Sequence, residues 1–170
     1  MNVQRQARSV TKRITVILTV LMCASGLIYA QERADALKLY RTGRSLDSAG
    51  RSEEAKESYT AAVGVCLAEL RQNPRNMDSY TVYTWALFRL HRYRETVTVC
   101  NEALKITADA RIIETLGEAY FYLNDYKESL RQMERYLDMA PTGERASVAY
   151  FYTGDIYRLT KHYQKADIAY

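Results

Sequence analysis

The sequence has few of the residues that interrupt helices. Its 170 residues include only 7 Gly and 2 Pro, against 15 Tyr, 3 Phe and 1 Trp. Glycine and proline mark the turns between short strands, so their scarcity counts against a domain of many short strands and favours long helices. The hydrophobic share of 48% and the charged share of 26% are ordinary for a globular protein.

The residues that build metal and catalytic sites are also scarce. The three cysteines form no CxxC pair, and the two histidines, His91 and His162, are isolated. These spacings do not provide a metal site. No Gly-rich phosphate loop follows a strand, and no nucleophile–base pair is evident. We therefore predict a protein that is not an enzyme and that holds no metal or cofactor.

One pair of glutamates and one pair of cysteines are predicted to have structural rather than catalytic roles. Glu114 and Glu118 lie one helical turn apart, and such a pair usually belongs to a solvated helix face rather than to a catalytic site. Cys66 and Cys100 occupy apolar positions of predicted helices, where a free cysteine behaves as a small hydrophobic residue. The alternative for the two cysteines is a disulfide, which an exported protein can form.

The first 30 residues are typical of an export signal. Residues 1–13 hold four basic residues and no acidic one, residues 14–30 are largely apolar, and Ala30 precedes a polar segment. We predict a signal peptide at residues 1–30, cleaved after Ala30, and a mature domain at residues 31–170 that is periplasmic or secreted. Two alternatives remain: residues 14–30 are retained as a membrane anchor, or a lipid is attached at Cys23.

Positive charge is concentrated in this N-terminal segment. Without residues 1–30, 20 basic residues face 20 acidic ones, so the net charge of +4 belongs to the signal. No long run of one sign follows it. We therefore expect no nucleic-acid partner.

A pattern of small and large residues recurs four times in the rest of the chain. Each copy begins with a small residue, which a large apolar residue, a turn, a second small residue and another large residue follow. The four small residues at the start are Gly43, Thr84, Gly117 and Gly154. Successive origins are 41, 33 and 37 residues apart. Because a glycine inside a helix costs roughly 1 kcal/mol relative to alanine, we interpret these small residues as points of close helix–helix packing.

Apolar stripes divide each unit into two helices. In the third unit, one stripe ends at the Asn124-Asp125 turn and a second ends at Ala140-Pro141. In the first unit, the second stripe continues to Asn73-Pro74. That continuation predicts a second helix about two turns longer than the others.

These features resemble those of the tetratricopeptide repeat (TPR) family. The third unit carries the motif most fully, at Leu116, Gly117, Tyr120, Tyr126, Ser129, Tyr136 and Pro141. The resemblance implies an all-α fold, a right-handed α-solenoid of stacked helix–turn–helix repeats. The units are expected at about residues 34–74, 77–107, 108–141 and 142–170, the last of them incomplete.

The resemblance also implies a binding function. In TPR proteins the first helices of successive units line a concave groove that holds a peptide or protein. The positions expected to face that groove are Tyr40, Arg44, Trp85, Phe88, Arg89, Arg111, Phe121, Tyr122, Phe151 and Arg158. Aromatic residues and arginine anchor interfaces. The alternative is that the same aromatics fill space between helices of neighbouring units.

Two functions remain open on this basis. The first is an exported scaffold without catalytic activity that holds a protein or peptide partner in the cell envelope. The second is the N-terminal repeat module of a larger exported protein whose activity lies beyond Tyr170. Because solenoids need a polar capping helix, the incomplete last unit has two interpretations. Either Tyr170 is the boundary of a fragment, or the apolar face of the last unit docks onto another surface, which includes self-association.

The predicted signal peptide can be checked directly. Cleavage after Ala30 should give a protein whose N-terminus, measured by mass spectrometry of material from its host, lies at or near Gln31. Recovery of a membrane-embedded protein that retains Met1 would instead support the anchor.

Overall fold

The computed structural model describes residues 35–170, and this part of the chain is built from α-helices alone. Its eight helices are α1 Ala36–Ser48, α2 Ser52–Gln72, α3 Met77–Arg89, α4 Tyr93–Leu104, α5 Ala110–Tyr122, α6 Tyr126–Met139, α7 Ala146–Leu159 and α8 Tyr163–Ala169. None of these helices is long and apolar enough to cross a membrane. The predicted signal, its cleavage site and Cys23 lie outside the described residues.

The helices stack as a repeating array. Each helix packs against the next one in the chain. In addition, α1 contacts α3, α3 contacts α5 and α5 contacts α7, whereas the second helices of the described pairs make no such contacts with one another. The first helices therefore form an inner row and the second helices an outer row. The predicted all-α solenoid of stacked helix pairs is confirmed.

The first helix pair differs from the others in length. The second helix, α2, has 21 residues, whereas α4 has 12 and α6 has 14. The predicted extension by about two turns is confirmed.

The four turns between paired helices share one backbone geometry. The second residue after each first helix has a positive φ: 74° at Gly50, 58° at His91, 61° at Asn124 and 63° at Lys161. The next residue then donates its N–H to a carbonyl five residues back, as Arg51 does to Leu46 at 2.9 Å. This is the hydrogen bond of a Schellman cap. Every hairpin therefore closes in the same way, although only Gly50 avoids the steric cost of the left-handed conformation.

Small residues lie where the paired helices approach most closely. A Cβ added at Gly43 would stand 2.5 Å from the Tyr59 ring, and one at Gly117 would stand 2.9 Å from Met133 Cε. Ser129 Oγ also donates to the Gly117 carbonyl at 2.8 Å, which fixes α6 against α5. The interpretation of these glycines as helix-packing positions is confirmed.

The core runs along the array between the two rows. Its largest fully buried side chains include Tyr59, Leu87 and Met133. Cys66 and Cys100 are buried in separate clusters of this core, and both are free thiols. Burial raises the pKa of the Cys66 thiol to about 12, so this thiol stays protonated and unreactive.

The last helix pair leaves apolar surface uncovered. Helix α8 has only seven residues, and Ile168 is 86% exposed. Phe151 and Tyr163 are exposed beside it. Self-association through this surface stays a prediction.

Substituting alanine at two helical glycines distinguishes the effect of an added side chain on packing from its effect on helix propensity. Gly43→Ala should lower the free energy of unfolding by about 1–3 kcal/mol, because its Cβ would overlap the ring of Tyr59. That ring is buried, and its hydroxyl donates to Asp47 Oδ2 at 2.6 Å, so it cannot easily move. Urea unfolding followed by circular dichroism measures the change.

Gly64→Ala is the matched control, because Gly64 is an exposed position of α2 with nothing within 4 Å of the added Cβ. It should raise stability by roughly 0.5–1 kcal/mol, the usual gain for replacing glycine within a helix. Equal effects of the two substitutions would contradict the packing assigned to Gly43.

Candidate partner-binding groove

A groove of about 430 Å³, here called the inner groove, runs along the row of first helices. Its walls come from α1, α3 and α5, and Tyr136 of α6 and the turn between α6 and α7 add to the lining. Six of the ten predicted partner-binding residues line it, namely Tyr40, Arg44, Trp85, Phe88, Arg89 and Arg111. Side chains that are up to 71 residues apart in the sequence are therefore brought to one surface.

The aromatic wall of the groove is continuous with the core. The rings of Tyr40 and Trp85 lie 5.4 Å apart between centroids, and Tyr40 also packs on Tyr59 at 5.8 Å. Tyr40 is buried and Trp85 is half-buried. These side chains thus both line the groove and fill the space between α1 and α3, so the two interpretations of the aromatics apply together.

Two predicted groove residues, Phe121 and Tyr122, lie outside the lining of the inner groove, in the last turn of α5. The Phe121 ring packs edge-on against Tyr152 of α7 at 4.8 Å. Tyr122 is 47% exposed and stacks on Tyr93 at 4.8 Å. From the end of α5, Tyr122 reaches Tyr93 at the start of α4, and Phe121 reaches Tyr152 of α7. Phe121 therefore fills space between helix pairs.

The other two, Phe151 and Arg158, lie on α7, which contributes no side chain to the inner groove. Phe151 is exposed, with its ring 6.2 Å from that of Tyr170. Arg158 pairs with Asp155 on its own helix, with 2.9 Å between Nη2 and Oδ1. The structure therefore separates these residues from the six that line the groove.

Arg111 lines the groove but is already bound within the protein. Its Nη1 lies 3.0 Å from Asp78 Oδ1 on α3, and its Nη2 lies 2.8 Å from Asp109 Oδ2. Asp109 caps the start of α5 by accepting the backbone N–H of Arg111 at 2.9 Å. Burial opposes ionisation of Asp109, but the bonds from Arg111 outweigh it and lower the pKa of that carboxyl. Arg111 therefore holds α5 against α3.

Glu114 and Glu118 are not on a solvated helix face, and that interpretation is wrong. The two residues are 4% and 6% exposed. The turn after α6 places Arg145 over them, where its Nε donates to Glu114 Oε1 at 2.8 Å and its Nη2 bonds both carboxylates. Arg145 is 27 residues from Glu118, so no local sequence pattern reveals the contact.

The two carboxylates carry more charge than Arg145 neutralises. Burial, followed by repulsion from Glu114, raises the pKa of Glu118, and the positive charges of Arg145 and Arg89 oppose the shift only in part. Two acidic groups near one guanidinium favour retention of a proton. The groove therefore contains two buried carboxyl groups that share one guanidinium, which we call the Glu114–Glu118–Arg145 cluster.

In residues 35–170, the structure contains no group of three or more His, Cys, Asp or Glu side chains that could hold a metal ion. The groove thus presents aromatic rings, arginines and a buried carboxylate pair. Aromatic and arginine side chains are the groups that anchor protein interfaces.

Comparison with known proteins agrees with the helical repeat fold. Residues 110–142 match the tetratricopeptide repeat model. The fold is that of a TPR array. The search of curated proteins finds no match.

Several solved structures share this fold. A MamA structure from Desulfovibrio magneticus RS-1, spanning residue 41 to the end, is 20% identical, with 79% of this chain and 71% of that one covered and a TM-score of 0.59. A TPR protein of Thermus thermophilus is 14% identical, with coverages of 79% and 88% and a TM-score of 0.54. The first TPR domain of human RPAP3 is 21% identical, with coverages of 82% and 100% and a TM-score of 0.50.

The raised pKa of Glu118 leads to a prediction about stability. The folded chain keeps a proton that the unfolded chain releases near the ordinary value of 4.5. The stability linked to this proton is complete below that pH and is lost as the pH rises through the folded-state pKa. The Glu118→Gln variant has no such proton and does not lose this stability. The free energy of unfolding of the variant minus that of the unmodified protein should therefore increase from about pH 5 to about pH 8.

Urea unfolding across this pH range measures the difference. Glu134→Gln is the matched control, because it makes the same substitution at an exposed position of α6. A Glu118→Gln difference that stays flat across this range would show that Arg145 dominates and that Glu118 is ionised throughout.

Proposed function

We propose that the protein is an interaction scaffold without catalytic activity, and that the inner groove holds a peptide segment of a protein partner. The observation that carries this proposal is the convergence of aromatic and arginine side chains from three first helices on one groove. Such residues, in a desolvated pocket, dominate the energy of protein interfaces. The groove volume of about 430 Å³ accommodates a few side chains rather than a folded domain.

The groove offers separate chemical environments along its length. Tyr40, Trp85 and Phe88 present apolar surface, and Arg44 and Arg89 are exposed beside them. The carboxylates of Glu114 and Glu118 lie on the wall that α5 supplies. A bound segment would be positioned by its apolar side chains and oriented by its charges.

We also propose that the scaffold acts in the cell envelope after export. The support is the basic start and the apolar run of residues 1–30. If residues 14–30 are retained, the same groove would work from the membrane surface. The nearly balanced charge of the remaining chain supports a protein partner rather than a nucleic acid.

Selection of short random peptides on the full-length protein tests the groove. Peptides should be recovered that bind the unmodified protein and that lose about 2 kcal/mol of binding free energy, roughly thirtyfold in Kd, with Trp85→Ala. Arg44→Glu provides a second groove variant, which is at an exposed position and should leave the fold unchanged.

Tyr150→Ala is the control, since Tyr150 is an exposed aromatic residue of α7 outside the groove. Fluorescence anisotropy with each variant, after circular dichroism confirms its folding, gives the comparison. Failure to recover any peptide, or equal binding to both groove variants and the control, would contradict the proposal.

A further inference from the structure

We propose that the inner groove selects a partner segment with a basic side chain, and that this side chain binds the carboxylates of Glu118 and Glu114 beside Arg145. This inference rests on the proposed function of the groove as a peptide site. It adds the chemical class of the residue that the site recognises.

The first support is that the acidic side chains of the groove are more deeply buried than its arginines. Glu114 and Glu118 are more than nine-tenths buried, whereas Arg44, Arg89 and Arg145 are exposed. Water and salt screen the exposed arginines. A charge held away from water interacts more strongly with the group placed on it. The buried carboxylates therefore have the larger effect on which ligand charge is accepted.

The aromatic wall independently favours the same ligand charge. Tyr40 and Trp85, whose ring centroids are 5.4 Å apart, line the groove together with Glu114 and Glu118. The faces of aromatic rings, tryptophan above all, attract ammonium and guanidinium groups. Rings and carboxylates around one space thus form an environment for a cation.

Once Glu118 is ionised, the charge count of the cluster leaves a place for one more cation. Arg145 directs its Nε and Nη2 to Glu114 Oε1, whereas Glu118 receives only the Nη2. Arg111 cannot supply the missing charge, because its guanidinium is bound to Asp78 and Asp109. The side chain of Arg145 is 49% exposed, whereas that of Glu118 beneath it is 8% exposed, so a second cation reaches Glu118 from the groove when the Arg145 side chain shifts aside.

The remaining groups near Glu118 do not complete the charge balance. Arg89 of α3 lowers the pKa of Glu118 less than Arg145 does. Arg44 lies on α1, which does not contact α5. Burial and the charge of Glu118 raise the pKa of Tyr152 on α7, so its hydroxyl stays neutral. Tyr136 of α6 and the exposed Glu144 also line the groove and supply no positive charge.

In the absence of a partner, the carboxyl of Glu118 is the group that keeps the proton. When a basic side chain binds, that proton leaves to solvent and the carboxylate pairs with the incoming ammonium or guanidinium group. Binding should therefore release protons near neutral pH.

The probes are the peptides recovered by selection on the unmodified full-length protein. We expect them to share an arginine or lysine. Replacing this residue by citrulline or acetyl-lysine, which removes the charge, should weaken binding at least about thirtyfold. The same replacement should have little effect on binding to Glu118→Gln, and Glu134→Gln should behave as the unmodified protein does. Calorimetry in phosphate and in Tris buffer should show proton release that Glu118→Gln abolishes.

The outcomes distinguish the two proposals. Peptides that bind the groove but contain no required basic residue, or whose binding releases no proton, overturn this inference and leave the proposed function standing. Enrichment of acidic peptides whose binding depends on Arg44 and Arg89 also overturns this inference and leaves the proposed function standing. Recovery of no groove-binding peptide overturns both. If Glu118→Gln does not fold, Glu114→Gln provides the same comparison of charged and neutral peptides.

Discussion

The close approach of the two helices in each pair sets the geometry on which the rest of the array depends. It is possible only where a side chain is absent or small, as at Gly43 against Tyr59 and at Gly117 against Met133. The left-handed residue in each turn then closes every hairpin in the same way. Repetition of one hairpin geometry brings successive first helices into contact and leaves the second helices apart. The groove is a consequence of that difference between the two rows.

Placing first helices side by side also determines which charges become buried. One face of α5 lies against α3, and the turn after α6 covers the end of the groove. Glu114 and Glu118 on that face lose most of their contact with water and gain a single guanidinium from Arg145. Removing charges from water is expensive unless they are paired. The selectivity and the pH dependence that we propose for the groove rest on this buried pair with one counter-ion.

The groove and the core share residues. Tyr40 packs on Tyr59 inside the array while its ring also lines the groove with Trp85. Arg111 forms part of the groove surface while linking α3 to α5 through Asp78. A partner that binds such a surface meets side chains already held in place by packing. Less conformational entropy is then lost on binding.

The sequence by itself determined the helices, their pairing and the small residues at the crossings. These features depend on neighbours within one turn or one hairpin, so their periodicity is visible in the chain. It also placed six of the groove residues, because the first helices repeat in register. Tertiary structure alone decided the position of Phe121, which packs against α7 instead of facing the groove. It likewise decided the state of Glu114 and Glu118, since Arg145 approaches them from the start of the next repeat. Contacts between repeats join residues of no fixed spacing, and their burial depends on how the repeats stack.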